Sequence, residues 1–337
     1  MKAKMKPRIQ LENRPKLENF IPLSTPFIIN VDPSDACNFR CVFCPTGDHD
    51  LMKKTPGRLF GLMSFELFKK IVDDICQFEY PIKVLRLYKD GEPLLNPRFP
   101  DMVRYAKESG CCEVVDTTTN ASRLSPELNL RIIESGLDRI NVSIYGMSEA
   151  QYLNFSKARV NFDRMVENIR HFYENSRGKC KVLVKINGDA ISDQDQQRFL
   201  ETFGDIADEV YIEHIMSCWP GFDLEVKGVK ANPDVGIYGQ PIREVMVCPY
   251  IFYSFSINSN GTASACFLDW ERKLIIGDVN KESVMDIWGG AQLLAHQKMM
   301  LMKQRKQHPV CGNCDQLRRG QPDDIDEFAE RLLDKIE

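Results

Sequence analysis

The sequence predicts an α/β fold in which parallel strands alternate with helices. Short apolar runs, suited to buried strands, recur between residues 26 and 214. Amphipathic segments of helical period lie between them, at intervals of about 25–30 residues. N-capping residues and glycines mark the ends of several of these segments. This alternation is typical of a parallel sheet with right-handed crossovers. Periodicity leaves open whether the sheet is flat or curls into part of a barrel.

Six strands and five helices follow in order from the apolar pattern. The predicted strands are Phe27–Val31, Lys83–Tyr88, Glu113–Thr118, Arg139–Ile144, Lys181–Ile186 and Glu209–Ile212. The predicted helices are Ser64–Gln77, Phe99–Ser109, Pro126–Ser135, Asn161–Asn175 and Asp193–Phe203. Ser64 and Ser125-Pro126 fit the preferences of helix starts, and Gly110 and Gly136 fit helix ends.

Composition sets the protein class. The chain has 337 residues, of which 43% are apolar and 27% charged, with a net charge of −4. These values are those of a globular protein and give no case for nucleic acid as a partner. No apolar run is long enough for a membrane span, and no secretory signal is present. Twelve cysteines without a signal indicate a reducing, cytoplasmic setting.

Changes in pattern divide the chain into five parts. The predicted parts are an N-terminal extension at 1–25, an α/β domain at 26–214, a linker at 215–247, a small α+β cysteine-containing module at 248–320, and a charged C-terminal helix at 321–337. The basic residues of the extension are expected to face solvent. The linker is rich in turn-forming residues, and such loops often line a binding site.

The first cysteine motif directly follows the first strand. Cys37, Cys41 and Cys44 have the spacing C-x3-C-x2-C. Thiolates are soft ligands, and three of them suit an iron-sulfur cube with one iron left open. A zinc site, with His49 as the fourth ligand, is the alternative.

The second cysteine set lies in the C-terminal module. Cys248 and Cys266 flank a predicted hairpin, with Cys266 on its return strand Ala263–Phe267, and Cys311 and Cys314 form a C-x2-C pair. Helices are predicted from Ser283 and over Gln292–Gln304. Four thiolates make a complete cluster site. Zinc is again the alternative, but zinc ribbons use two close pairs.

The octapeptide from Cys37 to Cys44, including Phe43, resembles the signature of radical S-adenosylmethionine (SAM) enzymes. The resemblance implies a partial (β/α)6 TIM-like barrel with its site at the C-terminal ends of the strands. It implies that the three cysteines hold a 4Fe-4S cluster whose open iron binds SAM. It also implies that reductive cleavage of SAM gives a 5′-deoxyadenosyl radical, which removes a hydrogen atom from the substrate.

Loops at later strand ends resemble the SAM-binding segments of that family. Gly91-Glu92-Pro93 resembles the loop that binds the SAM amino group, although the family more often has Gly where Asp90 stands. The resemblance implies that the ribose and carboxylate of SAM meet Thr119, Asn120 and Ser143, with Ala121 and Tyr145 as departures from the family pattern. The SAM carboxylate also needs a cation, for which Lys157 and Arg159 are the candidates. The SAM-binding candidates are therefore Phe43, Gly91, Glu92, Pro93, Thr119, Asn120, Ser143, Lys157 and Arg159.

The C-terminal module resembles the SPASM and twitch modules of radical SAM enzymes. The resemblance implies one auxiliary 4Fe-4S cluster on Cys248, Cys266, Cys311 and Cys314, because no further cysteine follows Cys314. This single site is similar in arrangement to that of the butirosin-pathway aminocyclitol dehydrogenase. It suggests an oxidoreductase that oxidises an alcohol by two electrons, with the auxiliary cluster as electron acceptor.

The substrate is expected to be a small polar molecule: a sugar, a cyclitol or a nucleotide-linked sugar. Residues 1–24 are too few for the leader-binding domain of many peptide-modifying members. An external reductant such as flavodoxin or ferredoxin is a further expected partner. A peptide-modifying enzyme, a redox-neutral epimerase and a non-catalytic iron-sulfur or zinc scaffold are the alternatives. The catalytic base is unknown, with Lys89, Asp90, Tyr145 and His214 as weak candidates.

Overall fold

The computed structural model describes residues 1–320 and 323–336, and its strands form one mixed sheet. In chain order, the described strands β1 to β10 are Lys4–Met5, Ile28–Val31, Ile82–Leu87, Cys112–Thr119, Arg139–Ile144, Lys181–Asn187, Glu209–Glu213, Ser254–Ile257, Thr262–Ser264 and Ile275–Asp278. The six strands predicted from the α/β pattern correspond to β2 through β7, with ends shifted by a residue or two.

Helices connect these strands. Among the described residues, α1 to α11 are His49–Lys54, Phe65–Ile75, Phe99–Ser109, Pro126–Glu134, Glu149–Phe155, Phe162–Ser176, Asp193–Phe203, Val284–Trp288, Ala291–Leu301, Gln316–Arg319 and Ala329–Ile336. The predicted C-terminal helix corresponds to α11, and Gln321, Pro322 and Glu337 of that segment lie outside the described residues. No helix in the described part has the length and hydropathy of a membrane span.

The strand order shows that the barrel is open. The strands follow the order β1-β7-β6-β5-β4-β3-β2-β8-β9-β10, and the two ends do not meet. Neighbours from β1 to β8 run parallel, whereas β8, β9 and β10 form antiparallel pairs. The prediction of a partial barrel is therefore confirmed. The carboxyl ends of its strands lie at one rim, where the predicted site loops emerge.

Local sequence chemistry accounts for the helix ends. The Ser64 side chain accepts a hydrogen bond from the Leu67 amide at the start of α2, and Ser125 does the same for Leu128 at the start of α4. Gly110 ends α3 with φ of 68°, a backbone conformation that side chains disfavour. These predicted caps are confirmed.

Two sequence expectations need correcting. Cys266 lies beyond the end of β9 rather than on the return strand, because that strand stops at Ser264. The extension at 1–25 does not only cover the outside with solvated charges. Its strand β1 pairs with β7, and Arg8 and Arg14 line the interior cavity of the barrel. Strand β8 pairs in parallel with β2, so the sheet continues across the boundary predicted at residue 248.

Candidate functional site

The first cysteine loop follows β2 at the open rim. The amide of Phe39 donates to the Sγ of Cys37 at 3.5 Å, and the amide of Gly47 donates to the carbonyl oxygen of Cys44 at 3.0 Å. Burial, with smaller contributions from the Glu92 carboxylate and the Cys44 thiol, raises the pKa of Cys37 to about 12. Burial and the two neighbouring thiols raise the pKa of Cys41. A backbone N–H group directed at sulfur suits a thiolate that holds a cluster.

The Gly91 loop packs directly against this cysteine loop. A Cβ at position 91 would lie 2.1 Å from the carbonyl oxygen of Ser34 and 2.3 Å from that of Ala36. The amide of Glu92 donates to the same Ala36 oxygen at 2.9 Å. Only glycine permits this approach, so position 91 fixes the separation of the two loops.

The carboxylate of Glu92 joins a third loop to these two. Its oxygens accept hydrogen bonds from the Leu94 amide at 3.0 Å, the Thr119 hydroxyl at 2.6 Å and the Asn120 amide at 2.7 Å. The Asn120 side chain donates to Asn38 at 3.0 Å and approaches the Sγ of Cys37 at 4.0 Å. Burial raises the pKa of Glu92 to about 7. The structure thus brings the predicted loops together around the three cysteines.

The structure places the other predicted SAM-binding residues in different surroundings. Phe43 stacks on Tyr145 with 5.7 Å between ring centroids, and Ser143 pairs in register with Lys185 of β6. Lys157 and Arg159 are exposed in the loop between α5 and α6, and neither lines the central cavity. Pro93 begins a buried turn directly after Glu92.

Lys89 and Asp90 need correcting as catalytic candidates. Both side chains are fully enclosed, with 0% exposure, and the Lys89 ammonium lies 2.8 Å from the Asp90 carboxylate. The guanidinium of Arg272 lies 2.6 Å and that of Arg58 3.7 Å from the same carboxylate. Neither candidate lines the central cavity. Lys89 and Asp90 form ion pairs within a buried network of charges, where a substrate cannot reach them.

His214 and Tyr145 are also placed away from the cavity. The Nδ1 of His214 lies 2.8 Å from an oxygen of Asp189, and the ring is outside the cavity lining. Tyr145 packs among Phe39, Phe43 and Tyr152. Their contacts are with neighbouring side chains, and as catalytic candidates both residues remain predictions.

A cavity of about 400 Å³ fills the middle of the barrel. Strand residues Arg86, Thr118, Lys185 and Glu213 line it, together with Tyr88 directly after β3. The Lys185 ammonium lies 2.7 Å from the Glu213 carboxylate, which is 7% exposed. Linker residues Met216, Cys218, Ile237 and Tyr238 complete part of its wall. This is a volume suited to a small-molecule substrate.

The auxiliary cysteines surround a second, smaller cavity. Cys248, Cys266, Cys311 and Cys314 all line it, with mainly apolar neighbours. Arg305, which is 4% exposed, donates to the carbonyl oxygens of Cys311 at 2.8 Å and Cys314 at 3.3 Å. The Leu268 amide donates to the sulfur of Cys266 at 3.4 Å. The C-x2-C turn is therefore held by buried hydrogen bonds.

The donor set fits iron-sulfur clusters. Burial raises the pKa of Cys248 and of Cys311 to about 12, so a bound cation is needed to keep these thiols ionised. Four thiols around one cavity suit a cluster in its middle. Across residues 1–320 and 323–336, no three His, Cys, Asp or Glu side chains stand in the arrangement of a single-ion site.

Several residues of the site were missed in the sequence. Arg58, Arg272 and Arg8 belong to no motif, and their positions depend on contacts with distant segments. Arg86 carried a usable signal. It is a charged residue near the carboxyl end of a largely apolar strand, and Asp116 stands opposite it on β4. Interior and exterior positions alternate along a barrel strand, so Arg86 shares its face with Val84, which also lines the cavity.

Family models match both halves of this site. The model of the radical SAM superfamily matches residues 31–205, just over half of the chain. The model of the SPASM iron-sulfur cluster-binding domain matches residues 248–315. These two ranges contain the first cysteine motif and all four auxiliary cysteines.

Curated relatives match the chain over part of their length. A tungsten-containing aldehyde ferredoxin oxidoreductase cofactor-modifying protein of Pyrococcus furiosus is 33% identical over 115 residues, 34% of this chain and 30% of that protein. A GTP 3′,8-cyclase of Chlorobaculum tepidum is 27% identical over 134 residues, 38% of this chain and 36% of that protein. The chain thus spans about a third of the length of these relatives.

Solved structures share the fold over most of the chain. BtrN in complex with AdoMet and 2-DOIA has a TM-score of 0.58 and 17% identity, covering 89% of this chain and 97% of that one. SuiB of Streptococcus suis bound to S-adenosylmethionine has a TM-score of 0.60 and 15% identity, covering 93% and 76%. At these identities the likeness shows the fold alone.

Replacing Gly91 tests the contact between the loops. In Gly91→Ala the new methyl meets two backbone oxygens, so the loop must move out of its binding position. Returning it there on SAM binding costs about 1–3 kcal/mol, which corresponds to roughly a 5- to 150-fold change in a binding constant. We expect SAM affinity, measured by calorimetry on anaerobically reconstituted protein, to fall by that factor. Gly289→Ala is the control, because its Cβ would meet nothing closer than 3.7 Å. Equal SAM affinity in the two variants would contradict the assigned loop.

Proposed function

Because the chain belongs to the radical SAM superfamily, we propose that it oxidises an alcohol of a small polar substrate by two electrons. The substrate would be a sugar, a cyclitol or a nucleotide-linked sugar. The observation that carries this proposal is the position of the central cavity beside the auxiliary cysteines. Leu268 lines both cavities, and Tyr250, Phe267 and Gln316 of the central cavity each lie within two residues of an auxiliary cysteine. A substrate there would lie next to an electron acceptor.

The cofactors are SAM and 4Fe-4S clusters. Cys37, Cys41 and Cys44 would hold one cluster, and the four auxiliary cysteines would hold the other. When bound, SAM and its cluster supply a radical that takes a hydrogen atom from the substrate carbon, and the auxiliary cluster supplies an acceptor for one electron. We expect the initial electron to come from a flavodoxin or ferredoxin and the compartment to be reducing, because thiolate ligands require it.

We propose that the loops around the first cysteines bind SAM. Backbone oxygens near Gly91 and the Glu92 carboxylate would accept from its amino group. Phe43, Thr119, Asn120 and Ser143 would contact the rest of the molecule. This assignment is supported by the hydrogen bonds of Glu92 to Thr119 and Asn120, which hold these loops in one site. The Gly91→Ala measurement of SAM affinity tests it.

Removing the first three cysteines tests the metal assignment. Anaerobically reconstituted protein should hold about eight irons per chain, four in each cube. Cys37, Cys41 and Cys44 replaced together by Ala should leave about four irons and abolish formation of 5′-deoxyadenosine from SAM. Iron and sulfide analysis with an assay for 5′-deoxyadenosine measures both. Stoichiometric zinc without sulfide in the wild type would contradict the assignment.

We propose that Glu213 takes the proton of the substrate hydroxyl. Its carboxylate lines the central cavity beside the Lys185 ammonium. A positioned general base contributes about 10²–10⁴-fold, so Glu213→Gln should lower product formation by roughly a hundredfold while SAM cleavage continues. Glu209→Gln is the control, because Glu209 pairs with Lys181 at 2.7 Å at the other end of β7. Full product formation in Glu213→Gln would exclude this role.

The auxiliary cysteines test the redox outcome. Replacing Cys311 and Cys314 by Ala removes two of the four thiolates and should stop formation of the oxidised product, while some SAM cleavage remains. Product analysis is combined with circular dichroism, because metal sites often contribute folding energy. A folded variant that makes product at the wild-type rate would contradict the electron-acceptor role.

A redox-neutral epimerase is the second candidate. Cys218 lines the central cavity, and its thiol lies within electrostatic reach of both Cys44 and Cys314. A thiol in that place could return a hydrogen atom to the substrate radical. Product made at the full rate without the auxiliary cluster, and lost in Cys218→Ala, would favour this reaction over oxidation.

A further inference from the structure

We propose that the substrate is an anion, and that a phosphate or carboxylate of this substrate binds Arg8 and Arg86 in the central cavity. The inference rests on the proposed function, because it takes the central cavity as the substrate site. It narrows the substrate class from polar molecules in general to those that carry an oxyanion.

Arg8 supplies the first positive charge. It comes from the N-terminal extension and lines the barrel cavity, where its guanidinium contacts the hydroxyl of Tyr88. The guanidinium carbon lies 5.5 Å from the centroid of the Tyr88 ring. Within the described part of the chain, no carboxylate stands at ion-pair distance from Arg8. The Asp116 and Glu213 carboxylates act on Arg8 only from beyond ion-pair distance, so its guanidinium keeps donors that an anionic ligand can use.

Arg86 supplies the second positive charge. It shares the Asp116 carboxylate with Arg139, at 3.8 Å and 3.5 Å respectively. The Nε of Arg86 is buried and has no hydrogen-bond partner. One carboxylate therefore serves two guanidinium groups, and Arg86 keeps donors that a ligand can use.

The charges at this level of the cavity do not balance. Around Arg8 and Arg86, the cations are these two and Lys185, whereas the carboxylates are Asp116 and Glu213, which leaves an excess of one positive charge. Uncompensated buried charge is costly, and a bound anion removes that cost.

The rest of the wall suits the body of such a substrate. Aromatic residues also line the cavity, and three of them, Tyr250, Tyr253 and Phe267, belong to the auxiliary module. Aromatic faces and edges pack against sugar or base rings, while the guanidinium groups hold the oxyanion. A protonated amine would be repelled by the same charges. A sugar phosphate or a nucleotide-linked sugar therefore fits better than an aminocyclitol.

Binding of simple anions tests the inference without turnover. The full chain, anaerobically reconstituted and saturated with SAM, is titrated by calorimetry with inorganic pyrophosphate and separately with malonate. We expect pyrophosphate to bind, and Arg8→Gln to weaken binding by roughly tenfold or more, because a charge-assisted hydrogen bond is lost. Lys4→Gln removes one positive charge at an exposed position of the same extension and should leave the affinity unchanged. Preference for malonate would identify a carboxylate as the anion.

Two outcomes would overturn the inference. Wild-type protein that binds neither anion has no such site, and equal affinity in wild type and Arg8→Gln places the anion elsewhere. If the Arg8→Gln variant fails to assemble its clusters, Arg86→Gln is measured instead. This variant leaves the extension intact, and we expect the same loss of pyrophosphate affinity. Failure of alcohol oxidation would not affect these measurements, so the two hypotheses remain separable.

Discussion

A buried network of charges centred on Asp90 holds the site together. Its carboxylate contacts the ammonium of Lys89 at 2.8 Å and the guanidinium of Arg272 at 2.6 Å. Arg58 lies between Asp90 and Asp35, at 3.7 Å from each. Burial works to raise the pKa of Asp90, but these three cations lower it, so the carboxylate stays charged. Removing one partner from such a network costs about 3–5 kcal/mol, since it leaves the others buried and unpaired.

The network also explains a departure from the family pattern. Where radical SAM proteins more often have glycine, this chain has Asp90, directly before the Gly91 loop. The position gains an anion that binds Arg272 of the auxiliary module and Arg58 after the cysteine loop. The next residue, Gly91, keeps the close backbone approach that the loop needs. Gly91 thus provides the close backbone approach, and its neighbour Asp90 attaches the loop to the auxiliary module.

The sequence predicts what local patterns control. Strand period, serine caps and the Gly110 end predicted β2 to β7 and five of the helices between them, because these features act within a few residues. The short helices α1 and α5 were missed. Strand β1 is two residues long and forms only against the edge of β7, so its sequence carries no strand pattern. The same limit applies to the site. A charged residue at a strand end predicts function, but whether Lys89 faces a cavity or an ion pair depends on partners far along the chain.

The continuous sheet determines how the two cysteine sites relate. Strand β2 leads into Cys37, and β8 lies beside it in parallel register, with Ile29 opposite Phe255. Cys248 precedes β8 and Cys266 follows the end of β9. A hinge between barrel and module would break this ladder and the Asp90 network together. The separation of the two sites is therefore set by paired strands rather than by the linker at 215–247. The proposed electron transfer from the central cavity to the auxiliary cysteines would require such a fixed distance. The linker is left to form part of the cavity wall with Met216, Cys218 and Tyr238.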